Sequence, residues 1–160
     1  MNIKVYPDED VVAGKAAAII ADAARAAVAS RGRFIMAVSG GHTPWLMLRA
    51  LAADELPWKQ VHVFQVDERV APAGDPARNF VHLRDSLLDH APLPPDHVHA
   101  MPVEATELDR GAEQYALTLR DVAGSPPVLD LIHLGLGADG HTASLVPGDP
   151  VLDFTDADVA

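Results

Sequence analysis

The chain has 160 residues, 49% of them hydrophobic, enough to enclose one core, so a single domain over residues 1–160 is expected. Its net charge of −11, from 12 basic against 23 acidic residues, argues against general binding to nucleic acid or to anionic membranes, though not against a small anionic ligand. The absence of cysteine excludes disulfides and thiolate metal sites. No stretch approaches the roughly 20 apolar residues of a membrane span and no signal-like start is evident, so a cytoplasmic protein is the simplest expectation.

Ile3 to Tyr6 reads as a short strand. Asp8 can cap the helix that follows, with Glu9 and Asp10 in the first turn where the dipole favours acids. From Val11 to Ser30 the chain is alanine-rich, with Val12, Ala16, Ile19, Ile20, Ala23, Ala27 and Val28 on one broad face and Gly32 as the stop.

Phe34 to Val38 (FIMAV) is a buried strand that runs into Ser39-Gly40-Gly41-His42-Thr43-Pro44. Thr43 suits the cap and Pro44 the first position of the next helix. Strand, glycine turn and helix start together present free backbone N–H groups and a positive dipole end to a phosphate. No Gly-Lys-Ser/Thr follows, and the dinucleotide spacing of glycines is missing.

The third strand, Val61 to Val66, ends in Asp67-Glu68-Arg69. Alone, such a charged strand end is most simply solvated. Beside a phosphate turn, Arg69 becomes an anion clamp and Asp67 an orienting carboxylate, with Glu68 facing the other way. Asn79 can cap a helix over Phe80 to Leu88, and Val98 to Met101 reads as a short strand. Thr106 and Asp109 form a capping box for a helix through Tyr115, Leu119 and Val122.

Pro127 and the glycines bound a buried strand at Val128 to Leu134, followed by Gly135, Gly137, Asp139, Gly140 and His141. A glycine-rich loop at the carboxyl end of a strand is where an open α/β sheet places its ligand. His141, two residues after an Asp on that loop, is a general-base candidate. The remaining histidines read as packed or solvated; His97 and His99 can share a face of an extended segment, but no third ligand is near in sequence and no metal site is assigned. Alternating strands and helices with short connections predict a doubly wound, mostly parallel α/β sheet with helices on both faces. After Pro147-Gly148 the pattern stops without completing a β-unit, which gives the chain the look of a truncated one.

Taken in order, Ser39 to Pro44, Asp67-Glu68-Arg69 with Asn79, and GLGADGHTASLVPG (Gly135 to Gly148) resemble the 6-phosphogluconolactonase family, from the first helix to about Leu152. The resemblance implies a Rossmann-like fold shared with glucosamine-6-phosphate deaminases. Arg69 stands where those deaminases typically have Tyr, and Thr142-Ala143-Ser144-Leu145-Val146-Pro147-Gly148 replaces their Ala-Phe-Asn-Glu-Pro type segment. Val146 replaces the usual Phe of the lactonases, and His42 a common Ser. Family members continue with further strands and helices whose basic residues add to the sugar-phosphate pocket, so the resemblance too makes this chain look short of the full fold.

The activity implied is hydrolysis of 6-phosphogluconolactone, a small sugar-phosphate lactone, in the pentose phosphate pathway, with no metal or organic cofactor. In that reading His141 activates the water, since a neutral imidazole with an unperturbed pKa of roughly 6.5 accepts a proton at neutral pH. Asp139 or Asp67 holds its tautomer. Backbone N–H groups around Gly137 to Gly140 face the oxyanion. Ser39, Gly40, Gly41, His42, Thr43 and Arg69, joined by Asn79, bind the phosphate end. Ser144 lies in no nucleophile elbow. A deaminase, or a sugar-phosphate sensor with no use for His141 as a base, are the competing expectations.

Overall fold

Five consecutive apolar residues at Phe34–Val38 suit only a strand covered on both faces, and all five are buried in β1. In the computed structural model, which describes residues 2–160, β1 is joined by β2 (Val61–Gln65), β3 (Val98–His99) and β4 (Leu131–His133). All pair in parallel, in the order β3-β2-β1-β4. The chain thus builds outward from β1 in one direction and then returns to its other side. That reversal between β1 and β4 is a topological switch point, where open α/β sheets bind ligands.

Alternation along the strands divides the core. Phe34, Met36, Val38, Val61 and Val63 face helices α1 (Glu9–Arg31), α2 (His42–Ala52) and α3 (Asn79–Leu83). Ile35, Ala37 and Phe64 face α4 (Leu108–Ala123) through Tyr115 and Ala123. The Tyr115 hydroxyl lies 2.9 Å from the Gln65 carbonyl and 3.2 Å from the His99 carbonyl and accepts from the Gln65 amide at 2.8 Å, so it closes the end of the ladder between β2 and β3. Burial pushes its ionisation up, against the hydrogen bond to Gln65.

Asp8 caps α1 by accepting from the Val11 amide at 2.8 Å, and Gly32 ends it in the left-handed conformation. The buried face of α1 is, however, Ala13, Ala17, Ile20, Ala21, Ala24 and Ala27, with Val12 and Ile19 exposed. A helix rich in alanine all round gives little periodic signal; packing selects the stripe of small side chains because it lets α1 and α2 approach closely.

Several local expectations are corrected. Ile3 to Tyr6 forms no strand. Helix α2 starts at His42 with Gly41 as its cap, so Thr43 is not the cap and Pro44 is the third helical residue. Arg78, not Asn79, precedes α3, which passes into a π-helical turn at Arg84–Leu88. Helix α4 is flanked by Glu107 and takes no side-chain cap from Thr106. Strand β4 is a half-exposed edge, with Ile132, Leu134 and Val128 open to solvent. It is anchored at its start by Asp130, which accepts from the Ile35 amide at 2.8 Å and pairs with Arg31. After Gly148 the chain forms only a 3-10 turn at Pro150–Asp153. No described helix is long and apolar enough to cross a membrane.

Candidate active site

The carboxyl ends of β1, β2 and β4 surround an open cleft of about 560 Å³. The turn from Ser39 to Thr43 forms one side, with Asp67, Arg69 and Asn79 on the next, and Gly137 and His141 opposite. The fold therefore brings together the three stretches singled out in the sequence. Asp139 and Gly140 do not line the cleft and stand behind His141.

The turn after β1 leaves backbone donors free at the start of α2. The first helical bond of α2 runs from the Trp45 amide to the Gly41 carbonyl at 3.1 Å, so the N–H groups of His42 and Thr43 have no intrahelical partner. The turn is held by a steric fit: a Cβ at Gly40 would overlap the amide of Asn79. Asn79 Nδ2 in turn donates to the Asp67 carbonyl at 3.2 Å. Asn79 is thus a strut between the two upstream turns as well as a wall of the cleft. Imidazole His42 is exposed, its Nδ1 3.4 Å from Glu9. Trp45 and His82, neither anticipated, stack at 3.9 Å on the same wall.

The fixed point beneath this wall is Glu68. Its side chain is fully buried and accepts from the Arg69 and Asn79 amides at 2.7 Å, the Phe80 amide at 2.9 Å and Gln65 Nε2 at 3.0 Å. The carboxylate therefore supplies the cap of α3 that Asn79 does not. Arg78 Nε lies 3.1 Å from Glu68 Oε2, an ion pair by distance though poorly aligned as a hydrogen bond. Burial raises the Glu68 pKa, but the bonds from Gln65, Arg69, Phe80 and Arg78 outweigh it and hold the carboxyl below its ordinary value. Glu68 does face away from the cleft, as expected, and leaves Arg69 facing it. Arg69 makes no ion pair among the described residues.

On the opposite side, Asp139 Oδ1 stands 2.5 Å from His141 Nδ1 and also accepts from the His141 amide at 3.2 Å. A carboxylate only accepts, so this contact places the imidazole proton on Nδ1 and leaves Nε2 as the basic atom. Hydrogen bonding from the His141 ring holds the exposed Asp139 carboxyl below its ordinary value, so it stays ionised. Of the two carboxylates considered, Asp139 is the one that touches the histidine; Asp67 instead accepts from Ser144 Oγ at 2.8 Å. Gly137 is required by a close approach: a Cβ there would overlap the His141 ring.

The structure narrows the donors this turn can offer. The Gly137 amide donates to the His141 carbonyl at 2.8 Å and the Gly140 amide to the Gly137 carbonyl at 3.0 Å. Both N–H groups are taken up inside the turn, so Gly137 and Gly140 shape the loop. On the far side of the sheet, His62, His97 and His99 stack together, but no group of three or more His, Asp or Glu side chains among the described residues is arranged as metal ligands.

Fold and cleft together define a Rossmann-like α/β protein with a glycine turn at a helix start facing a carboxylate-held histidine. Over residues 7–160 the sequence matches the model of the glucosamine-6-phosphate isomerases/6-phosphogluconolactonase family, and the chain belongs to that family. It is 37% identical over 159 residues to a 6-phosphogluconolactonase of Synechocystis sp., covering 97% of this chain and 66% of that one. A 6-phosphogluconolactonase of Mycobacterium tuberculosis is 36% identical over 164 residues, with 96% and 66% covered. Among solved structures, 6-phosphogluconolactonase from Trypanosoma brucei superposes with a TM-score of 0.85 at 28% identity, covering 99% of this chain and 68% of that one. A monomeric glucosamine-6-phosphate deaminase shares the fold at a TM-score of 0.77 and 21% identity, over 89% and 58% of the two chains. The chain spans about two thirds of the length of these lactonase relatives.

Proposed function

We propose that this chain carries the catalytic cleft of a 6-phosphogluconolactonase, which hydrolyses 6-phospho-D-glucono-1,5-lactone to 6-phospho-D-gluconate in the oxidative pentose phosphate pathway. The observation that carries the reading is the Asp139–His141 pair, 2.5 Å apart, across one cleft from the phosphate turn and Arg69. The turn amides of His42 and Thr43 and the Arg69 guanidinium hold the phosphate, which leaves the lactone carbonyl at the His141 side. His141 Nε2 takes a proton from water as its oxygen attacks that carbonyl carbon. Asp139 stabilises the resulting imidazolium. Collapse of the tetrahedral intermediate breaks the ring C–O bond, and the imidazolium returns its proton to the departing ring oxygen. Ser39, Gly40, Gly41 and Asn79 shape the phosphate half, and His42 flanks it.

Incubation of the full chain with 6-phosphogluconolactone and, separately, with glucosamine 6-phosphate tests the reading. Acid release faster than spontaneous ring opening is the expected result. Ammonia release from the amino sugar would identify a deaminase, and binding of either compound without turnover a sensor; each would overturn the proposal.

A further inference from the structure

The segment after His141 turns through a residue in the left-handed region. Ala143, on the cleft wall, has φ of +51°, the left-handed region, which is unfavourable for a residue with a Cβ. Such a conformation persists only where surrounding contacts impose it. The Leu145 amide donates to the Thr142 carbonyl at 2.9 Å and closes a turn around Ala143, and two side-chain contacts hold that turn in place. On one side, Thr142 Oγ1 donates to the Gly135 carbonyl at 2.8 Å. On the other, Ser144 Oγ donates to Asp67 Oδ2 at 2.8 Å, across 77 residues of sequence.

The first contact is internal to the loop. The second ties it to another part of the protein. Asp67 follows β2, and its carbonyl is held by Asn79, whose amide is seated against Gly40 in the phosphate turn. Among the described side chains, the Ser144 hydroxyl is the only hydrogen-bond donor that reaches the Asp67 carboxylate. The catalytic loop and the phosphate-binding turn are therefore connected through Ser144, Asp67, Asn79 and Gly40.

We propose that the Ser144–Asp67 hydrogen bond is a latch that fixes the position of His141 relative to the phosphate-binding half of the cleft, making Ser144 and Asp67 positioning residues for the reaction. This rests on the hydrolytic reading of the cleft. With the latch broken, the turn around Ala143 loses its tie to the end of β2 and the His141 loop shifts, while the turn amides and Arg69 that hold the phosphate stay in place. Turnover falls, and affinity changes little.

The test compares Ser144→Ala, Asp67→Ala, the double variant and Ser144→Thr in the full chain. Ser144→Ala is expected to lower kcat about tenfold, the effect of losing one charge-assisted hydrogen bond at a partly solvated site, with KM within about twofold of wild type. Asp67→Ala lowers kcat at least as far, and the double variant no further than Asp67→Ala, since both remove one interaction. Ser144→Thr, which keeps the hydroxyl, restores most of the loss. Wild-type kcat in Ser144→Ala, independent multiplication of the two losses, or a loss confined to KM would overturn the latch. Amide hydrogen exchange gives a readout that does not depend on the reaction. The Gly137 and Gly140 amides should exchange faster in Ser144→Ala than in wild type, and unchanged rates overturn the latch whether or not the lactone is hydrolysed. Absence of lactone hydrolysis by wild type, with accelerated exchange in the variant, would defeat the functional reading and leave the latch standing as a loop tether.

Discussion

Removing the Glu68 carboxylate should destabilise the protein more than any single change at the cleft surface. In Glu68→Ala the Asn79 and Phe80 amides at the start of α3 lose their acceptor, as do the Arg69 amide and Gln65 Nε2. Arg78, with only 5% of its side chain exposed, loses one of its two carboxylate partners and keeps Glu104 at 2.7 Å. Breaking a buried ion pair from one side costs about 3–5 kcal/mol. The surviving Glu104 contact puts Arg78 near the low end of that range, and the lost cap adds about 1 kcal/mol. A total of about 3–4 kcal/mol corresponds, at a typical urea m-value of about 2 kcal/mol/M, to a midpoint lowered by about 1.5–2 M. Urea titrations followed by the fluorescence of Trp45 and Trp58 measure it. The folded-state pKa of Glu68 is depressed, so its contribution is complete above the unfolded carboxyl value of about 4.3 and is lost as pH falls through the lower folded value. The difference between wild type and variant should therefore shrink in acid. A loss below about 1 kcal/mol at neutral pH would mean that the Glu68 carboxylate does not anchor α3 and Arg78.

Two further predictions separate the cleft from the rest of the sheet. Arg69→Ala should raise KM for the lactone about tenfold or more and change kcat little, since a charge-assisted contact to phosphate is worth about 1.5–3 kcal/mol; steady-state kinetics decide, and an unchanged KM removes the clamp. His62 is pushed down to about 4, first by burial and then by His97, His99 and Arg33, against Asp96. With the folded value depressed, the unfolded chain binds the proton first, so stability is lost as pH falls from about 6.5 towards 4. After discounting for partial solvent screening this amounts to about 1–2 kcal/mol. His62→Phe should flatten that part of the stability–pH curve, and an unchanged slope from urea midpoints would contradict it.

The parts legible in sequence were those decided locally. Strand Phe34–Val38 matches its apolar run residue for residue, and the Asp8 and Gly32 caps of α1 follow from their own chemistry. The order of strands and glycine turns was enough to gather Ser39 to Thr43, Arg69 and His141 around one cleft. What sequence did not disclose depends on partners distant along the chain. Asn79 looks like a helix cap, but Glu68 arrives from the end of β2 and takes that role, which frees the Asn79 side chain to brace Gly40 and Asp67. The choice between Asp139 and Asp67 is likewise a matter of reach: one folds back on His141 and the other is taken by Ser144. The apolar run at β4 says strand without saying edge. Trp45 and His82, with 36 residues between them, give no sequence sign of stacking.

Turnover depends most directly on His141 as the base that activates water. The direct measurement is the rate of acid release from 6-phosphogluconolactone, in excess of spontaneous ring opening, by wild type and by His141→Ala at equal concentration. General-base catalysis contributes about 10²–10⁴-fold, so the variant should lose at least about a hundredfold in kcat while keeping its circular dichroism spectrum and urea midpoint. Turnover by His141→Ala within a few-fold of wild type would mean that His141 is not the base.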